Sequence, residues 1–375
     1  MVECSPPAGA TTKEMSTDPR AARLAARRAR VMAVAGRVVD PVARLLRVKP
    51  EALAPNNVWA VTGRRLVSNA IATEKPDIVI ATSPPPSALV AAGAVVGQTP
   101  FVVDLRDLWA GSPYYDRGSR LLAAIQARTL AQAAAIVTVT EGCRDALLKL
   151  HPEIAPDLYV FPNGFDPRLV HRRRKVSRKA NGYATLIHAG ALYGDRTAEP
   201  LLAALKRPEL RGRIRLVLLG VIDPRTAHAL SRAPDVDVTV ESPVEWEQAI
   251  DHVLEADIVV VINAPSAGGD MAVPTKLYEA LALGRPVLGL TRPGSDTARL
   301  LERLGQEAGI AVPDDPSAIA FAIERLLAAP PLPVPLEALA DFDADRIGAR
   351  YAALLDEVAT RSSSATSPGT TFSRR

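Results

Sequence analysis

The sequence holds only two cysteines in 375 residues, Cys4 and Cys143, and they lie at no C-x-x-C spacing. That excludes a disulfide framework and a cysteine-based zinc site. Cys143 follows Glu141-Gly142 at a helix start and is read as a small buried residue. Histidine is nearly as scarce, at five, so no cluster of acids and histidines is spelled out. No run of 18 apolar residues occurs, so no membrane-spanning helix is expected. The N-terminus lacks the basic-then-apolar order of a signal peptide, and the protein is expected in the cytoplasm. Aromatics make up only 4%, yet 48% hydrophobic and 23% charged residues are globular values that exclude bulk disorder. The length suffices for two domains, each with its own core.

Charge is unevenly spread. Residues 1–50 hold ten Lys and Arg against four acids, a local +6, which leaves the remainder at −2 of the overall +4. A second basic cluster, "RRRKVSRK" (172–179), falls in an expected linker at 171–182. No aromatics interleave with either cluster, so nucleic acid is not expected as a partner. The simplest reading is solvated charge on a helix and a linker. The functional alternative is peripheral attraction to the anionic inner face of the cell membrane.

Residues 1–19 are rich in Pro, Ser and Thr and read as a disordered tail. Helical periodicity begins at Arg20, and Asp40-Pro41 restarts it as an N-cap and first helical residue. From residue 60 short β-branched runs alternate with helices of ten or more residues. The runs "DIVIATS" (77–83), "PFVVDLRD" (100–107), "AIVTVT" (135–140) and "LYVFPNG" (158–164) make four strands in a first domain, 20–170. Six more follow in a second domain, 183–340: "ATLIHAG", "RIRLVLLG", "VDVTVES", "ADIVVVIN", "RPVLGLT" and "AGIAVPDD". Such alternation predicts βαβ units and parallel sheets buried on both faces, an α/β architecture of two Rossmann-like, doubly wound domains. A closing helix (341–362) and a floppy Ser/Thr/Arg tail (363–375) complete the chain.

In an open α/β sheet ligands sit at the carboxyl ends of strands, against helix N-termini that offer free amides and positive dipole ends. Three second-half segments carry polar residues at such points: "HAGALYGDRTAEPLLAAL", "INAPSAGGDMAVPTKLYEALA" and "LTRPGSDTARLL". In the second of these, Lys276 and Glu279 fall one turn apart and share a helix side. On residue chemistry alone that pair is a solvated ion pair or an anion-binding pair.

The segments "PDIVIATSPPPSALVAA", "PFVVDLRDLW", "AIVTVTEGCRDALL", "VFPNGFDP", "HAGALYGDR", "ADIVVVI" and "VPTKLYEALALGRPVLGL" together resemble the family-4 glycosyltransferases of the GT-B type. The similarity is greatest to the bacterial branch acting on envelope and capsular sugars. It implies two Rossmann-like domains facing across a cleft, a nucleotide-sugar donor and a sugar or lipid-linked acceptor. It also implies transfer that is retaining and needs no metal or other cofactor. In the family a glutamate on this helix accepts hydrogen bonds from the ribose, the position that Glu279 matches. A cation from this half neutralises the diphosphate, which points to Lys276 and Arg196, and Gly190 falls in the turn beside them. Asp104, Arg106 and Asp107 of "DLRDLW" are the first-domain candidates for catalysis or acceptor orientation, with Asp107 capping a helix and pairing with Arg106 as the structural alternative.

The family often carries Glu-x7-Glu, but Met271 stands where the first glutamate would be, and the adjacent Asp270 is the candidate substitute. Nothing in residues 1–59 resembles the strand, glycine-rich turn and helix that open such enzymes, so an incomplete first domain is expected. This keeps open a non-catalytic reading, a nucleotide-sugar-binding or partner protein. "DVD" (235–237) matches a metal-binding Asp-x-Asp in letters, but it begins a strand-like run. A nucleotide-sugar 2-epimerase would need more acids and histidines in the cleft. His188 is read either as approaching the nucleotide or as a satisfied structural histidine.

Overall fold

The computed structural model describes residues 56–110, 120–173 and 182–365. The expected N-terminal tail, the basic helical stretch from Arg20 and most of the basic linker lie outside these residues, as do residues 366–375, whereas residues 363–365 of the expected C-terminal tail belong to the last helix.

Each of the ten apolar runs contains a strand. The first lobe comprises α1 (Asn56–Glu74), β1 (Val79–Ser83), α2 (Pro86–Gly93), β2 (Phe101–Leu105), α3 (Arg120–Leu130), β3 (Ala135–Thr138), α4 (Glu141–Leu150) and β4 (Leu158–Val160). Its four strands are parallel in the order β1-β2-β3-β4. β2 and β3 are buried throughout, as unbroken β-branched runs should be when helices cover both faces.

The second lobe begins with β5 (Ala184–Ala189), α5 (Glu199–Leu205), β6 (Ile214–Leu219), α6 (Pro224–Ser231), β7 (Asp237–Glu241), α7 (Trp246–Glu255) and β8 (Ile258–Ile262). It continues with α8 (Ala267–Asp270), α9 (Thr275–Ala282), β9 (Val287–Leu290), α10 (Asp296–Arg303), β10 (Ile310–Ala311) and α11 (Pro316–Ala328). The six-stranded parallel sheet runs β10-β9-β8-β5-β6-β7. The order reverses between β5 and β8, and a crevice opens there at the strand carboxyl ends.

α12 (Ala344–Ala365) returns to the first lobe. Its Ile347, Leu354 and Val358 pack on Val102, Val137 and Phe161 of that sheet. The "FPNGFD" segment receives it. Phe165 N–H donates to Phe342 O (2.9 Å) and Ala344 N–H to Phe165 O (3.1 Å). A Cβ on Gly164 would stand 2.4 Å from Phe342 O, so only glycine allows this approach. The basic cluster also has a fixed start: Arg172 pairs with Asp251, and Arg173 donates to Val334 O at 2.6 Å.

Hydrogen bonds from the start of α4 join the lobes directly. Thr140 Oγ1 donates to Met271 O (2.9 Å), and Gly142 N–H donates to Asp296 Oδ2 (3.0 Å). Thr140 also caps α4, accepting from Cys143 N–H. The "LTRPGSDTARLL" strand end therefore serves the lobe junction. Ser295 caps α10, and the next residue, Asp296, places its carboxylate against the N-terminus of α4.

Candidate active site

Two cavities meet at the crevice. One, of about 390 Å3, lies in the second lobe between the ends of β5 and β6 and the helices α7 and α9. Val221, Val244, Ile250 and Val253 give it apolar walls, while Trp246, Lys276 and Glu279 supply polar groups. The other, of about 270 Å3, lies between the lobes. Arg106, Asp107 and Asn163 line it from the first lobe; Arg196 and the 271–275 segment line it from the second.

Pro274 precedes α9 as its N-cap, and no side chain caps the helix, so N–H groups of its first turn stay open. Leu277, Tyr278, Leu281 and Ala282 turn inward, leaving Lys276 and Glu279 on the crevice side. Lys276 Nζ donates to His188 Nε2 at 3.4 Å. His188 is buried, and its Nδ1 faces Val260 O at 3.0 Å. A carbonyl can only accept, so Nδ1 carries the hydrogen and Nε2 offers its lone pair to Lys276. Burial, with Lys276 and Arg196 nearby, pushes the His188 pKa down to about 3, so the ring is neutral. Burial and the Arg196 charge push Lys276 down to about 8, against a counter-pull from Glu279. Gly190, with φ of 135°, makes room: its absent Cβ would lie 2.3 Å from Lys276 Nζ.

Glu279 is half-buried, and its Oε1 accepts from Trp246 Nε1–H at 2.9 Å. The second carboxylate oxygen remains for a ligand hydroxyl. Arg196 lies over the Tyr193 ring, 4.8 Å from its centroid, and donates to the Tyr193 hydroxyl at 2.7 Å. Its Nε is buried without a partner among the described residues.

On the opposite wall the structure pairs Arg106 with Asp104 (3.0 Å), not with Asp107. Asp104 is buried below the cavity and also accepts from Thr82. Arg106 further donates to Asn163 Oδ1 at 3.3 Å. Asp107 stands at the mouth, and the residue as a whole is exposed. Its carboxyl faces the crevice, where partial burial pushes its pKa up and the Arg196 charge pulls it back. Asp270 is not among the residues lining this cavity; both its oxygens bind the Arg292 guanidinium. The Cys143 thiol is buried at the cavity base and pushed up to about 11, chiefly by burial, so it is a thiol rather than a thiolate. The "DVD" carboxylates, Asp235 and Asp237, are engaged by Arg211 and Arg215 away from both cavities.

Sequence reasoning did not anticipate Asn163, Trp246 or Asn263. Asn163 belongs to the quoted "FPNGFD" run, so a signal existed. Asn263 is buried, and its Nδ2, with two hydrogens to give, lies within bonding distance of Gly269 O (3.1 Å), Ala272 O (3.0 Å) and Thr297 Oγ1 (3.0 Å), fixing the loop that leads into α9. Gly269 packs against that same loop, where a Cβ would lie 1.9 Å from Ala264 O.

Two family models match the sequence: Glycosyltransferase Family 4 over residues 20–169, and Glycosyl transferases group 1 over residues 184–329. Side by side they take in both lobes. The chain is a family-4-like glycosyltransferase of the GT-B fold. Solved structures share this glycosyltransferase's architecture at low identity. Anabaena HepE in complex with UDP and glucose superposes with a TM-score of 0.61 at 16% identity, covering 78% of this chain and 82% of that one. Sucrose-phosphate synthase from Thermosynechococcus elongatus gives 0.58 at 18%, covering 81% and 79%. A UDP-N-acetylglucosamine 2-epimerase from Listeria monocytogenes, described as putative, gives 0.51 at 15%, covering 80% and 78%. At such identities these likenesses establish the fold alone. No protein of curated function matches the sequence. Among the described residues no helix is long and apolar enough to cross a membrane.

Proposed function

We propose that this glycosyltransferase moves a sugar from a nucleotide-sugar to an envelope polysaccharide or glycolipid acceptor, with retention and without a metal ion. The observation that carries the reading is the placement of Lys276 and Glu279 one turn apart on the crevice side of α9, with Gly190 leaving room for the ammonium. The base occupies the apolar cavity beside Val244 and Trp246, and the ribose hydroxyls bind the free oxygen of Glu279. The diphosphate lies between Lys276, Arg196 and the N-terminus of α9.

The transferred sugar extends into the interlobe cavity toward Arg106, Asp107 and Asn163, where the acceptor enters from the first lobe. Breaking the sugar–phosphate bond places charge on the leaving diphosphate. Arg196 and Lys276 meet that charge in place of a divalent cation. Each charge-assisted hydrogen bond contributes about 1.5–3 kcal/mol. The partnerless Nε of Arg196 supports this use of the side chain. UDP in complexes of HepE, a GT-B neighbour, makes a uridine donor the first to test.

The Asp270–Arg292 pair, beside Met271, favours a second reading in which the protein binds a nucleotide-sugar without transferring it. A thermal-shift screen of UDP, GDP, ADP and their sugars tests binding, since a ligand of the folded state raises the melting temperature by mass action. Release of free nucleoside diphosphate from the bound sugar then separates the readings. Turnover supports transfer, binding without turnover supports the second reading, and no shift with any nucleotide contradicts both.

A further inference from the structure

A third cavity, of about 390 Å3, backs onto the interlobe site and is separated from it by Val139 and Val273, which line both. Both lobes and the C-terminal segment contribute to it. Arg303 of α10 and Arg350 of α12 enter it. Each guanidinium lies over an aromatic ring, Arg303 at 5.5 Å from the Phe342 centroid and Arg350 at 5.1 Å from that of Phe161. Neither has a carboxylate partner within ion-pair distance among the described residues. The other charges of the cavity are engaged: Arg299 pairs with Asp296, and Glu141 with Arg144. Asp341 is the exception, a lining carboxylate without an ion pair among the described residues. The Tyr278 phenol completes the polar set, and burial pushes its pKa up, so it stays a hydroxyl.

We propose that this cavity binds a small sugar phosphate. Two ring-supported guanidinium forks suit the oxygens of a phosphate monoester. A carboxylate and a phenol suit sugar hydroxyls, and Leu300, Val160 and Pro162 supply apolar lining for the ring's C–H groups. A lone phosphate would leave most of the volume unfilled. Thr140 and Asp296 also line the cavity, and both bridge the lobes. An occupant therefore touches the lobe junction from outside the donor site. The site is independent of the proposed donor reading.

Thermal unfolding and calorimetry of the full chain with glucose-6-phosphate test it, with glucose and inorganic phosphate as comparators. The sugar phosphate is expected to raise the melting temperature, inorganic phosphate to do so far less and glucose not at all. Saturating UDP should leave the shift in place. Arg303→Gln and Arg350→Gln should each weaken binding about tenfold or more, one lost charge-assisted contact apiece. Both side chains are exposed, and each variant's own melting temperature without ligand checks that it folds. No shift, a shift untouched by both substitutions, or one abolished by UDP would overturn the proposal. Inorganic phosphate matching the sugar phosphate would mean an adventitious ion only and would overturn it too.

Discussion

Lys276 Nζ stands 3.4 Å from the unprotonated Nε2 of His188, in the notch left by the missing side chain of Gly190. The ammonium is held by a neutral acceptor rather than by an ion pair, and it sits beside a second cation, Arg196. That arrangement leaves Glu279, one turn away, as the carboxylate that offsets its charge until an anion arrives.

A pH dependence follows. The Lys276 pKa is lowered to about 8 in the free protein. A bound diphosphate favours the ammonium and raises that value, so binding takes up a proton above about pH 8. Affinity for a nucleoside diphosphate should be insensitive to this group below pH 8 and fall as pH rises beyond it. Calorimetry at pH 8.5 in buffers of different ionisation enthalpy should show net proton uptake by the protein. Uptake that persists unchanged in Lys276→Met would assign the proton elsewhere.

The same pair affects stability. His188 is depressed from 6.5 to about 3, so the unfolded state binds the proton more readily. Its contribution is fully present above pH 6.5 and is lost as pH falls from there toward 3. Urea midpoints of His188→Asn should show a shallower acid slope than wild type. An identical slope would count against the assignment.

Trp246 fixes one oxygen of Glu279 through its indole N–H. Trp246→Phe keeps the aromatic wall and removes that bond. With about 1.5–3 kcal/mol for a hydrogen bond to a charged group, nucleotide affinity should fall about tenfold or more. Titration of UDP into both proteins measures it, and equal affinities would show that the indole does not position the carboxylate.

At the lobe junction, a Cβ on Gly142 would meet Asp296 Oδ2 at 2.3 Å. Gly142→Ala should displace that carboxylate, break the bridge and open the crevice. Small-angle scattering is expected to give a larger radius of gyration than wild type. An unchanged radius would mean that the junction is held by other contacts.

Gly164 answers to a different constraint, because its added Cβ would strike the Phe342 carbonyl, which is backbone and cannot swing aside. Gly164→Ala should loosen α12 from the first lobe and cost about 1–3 kcal/mol, the usual range for overpacking. Denaturant midpoints check this, and wild-type stability would contradict the tight docking of the C-terminal segment.

Local pattern made most of the fold legible. "AIVTVT" and "ADIVVVIN" are β-branched runs, and each became a strand buried on both faces. "LYVFPNG" yielded a strand ending at Val160, short of the run's end. Lys276 and Glu279 were legible as a pair because helix period alone places them on one side. The partners that tune them were not. Trp246 meets Glu279 across 33 residues and His188 meets Lys276 across 88, and no periodicity encodes such pairs. The return of α12 to the first lobe was equally hidden, since its apolar stripe says that it packs but not on what. Asp270 was singled out by adjacency to a motif position, yet its orientation is set by Arg292, 22 residues on.

Calorimetric titration of Glu279→Ala with UDP, or whichever nucleoside diphosphate gives the largest thermal shift, tests the assignment of the crevice most directly. Loss of the ribose contact should weaken binding about tenfold or more relative to wild type, with the circular dichroism and melting temperature of the free protein preserved. Wild-type affinity in that variant would contradict the placement of the nucleotide on α9.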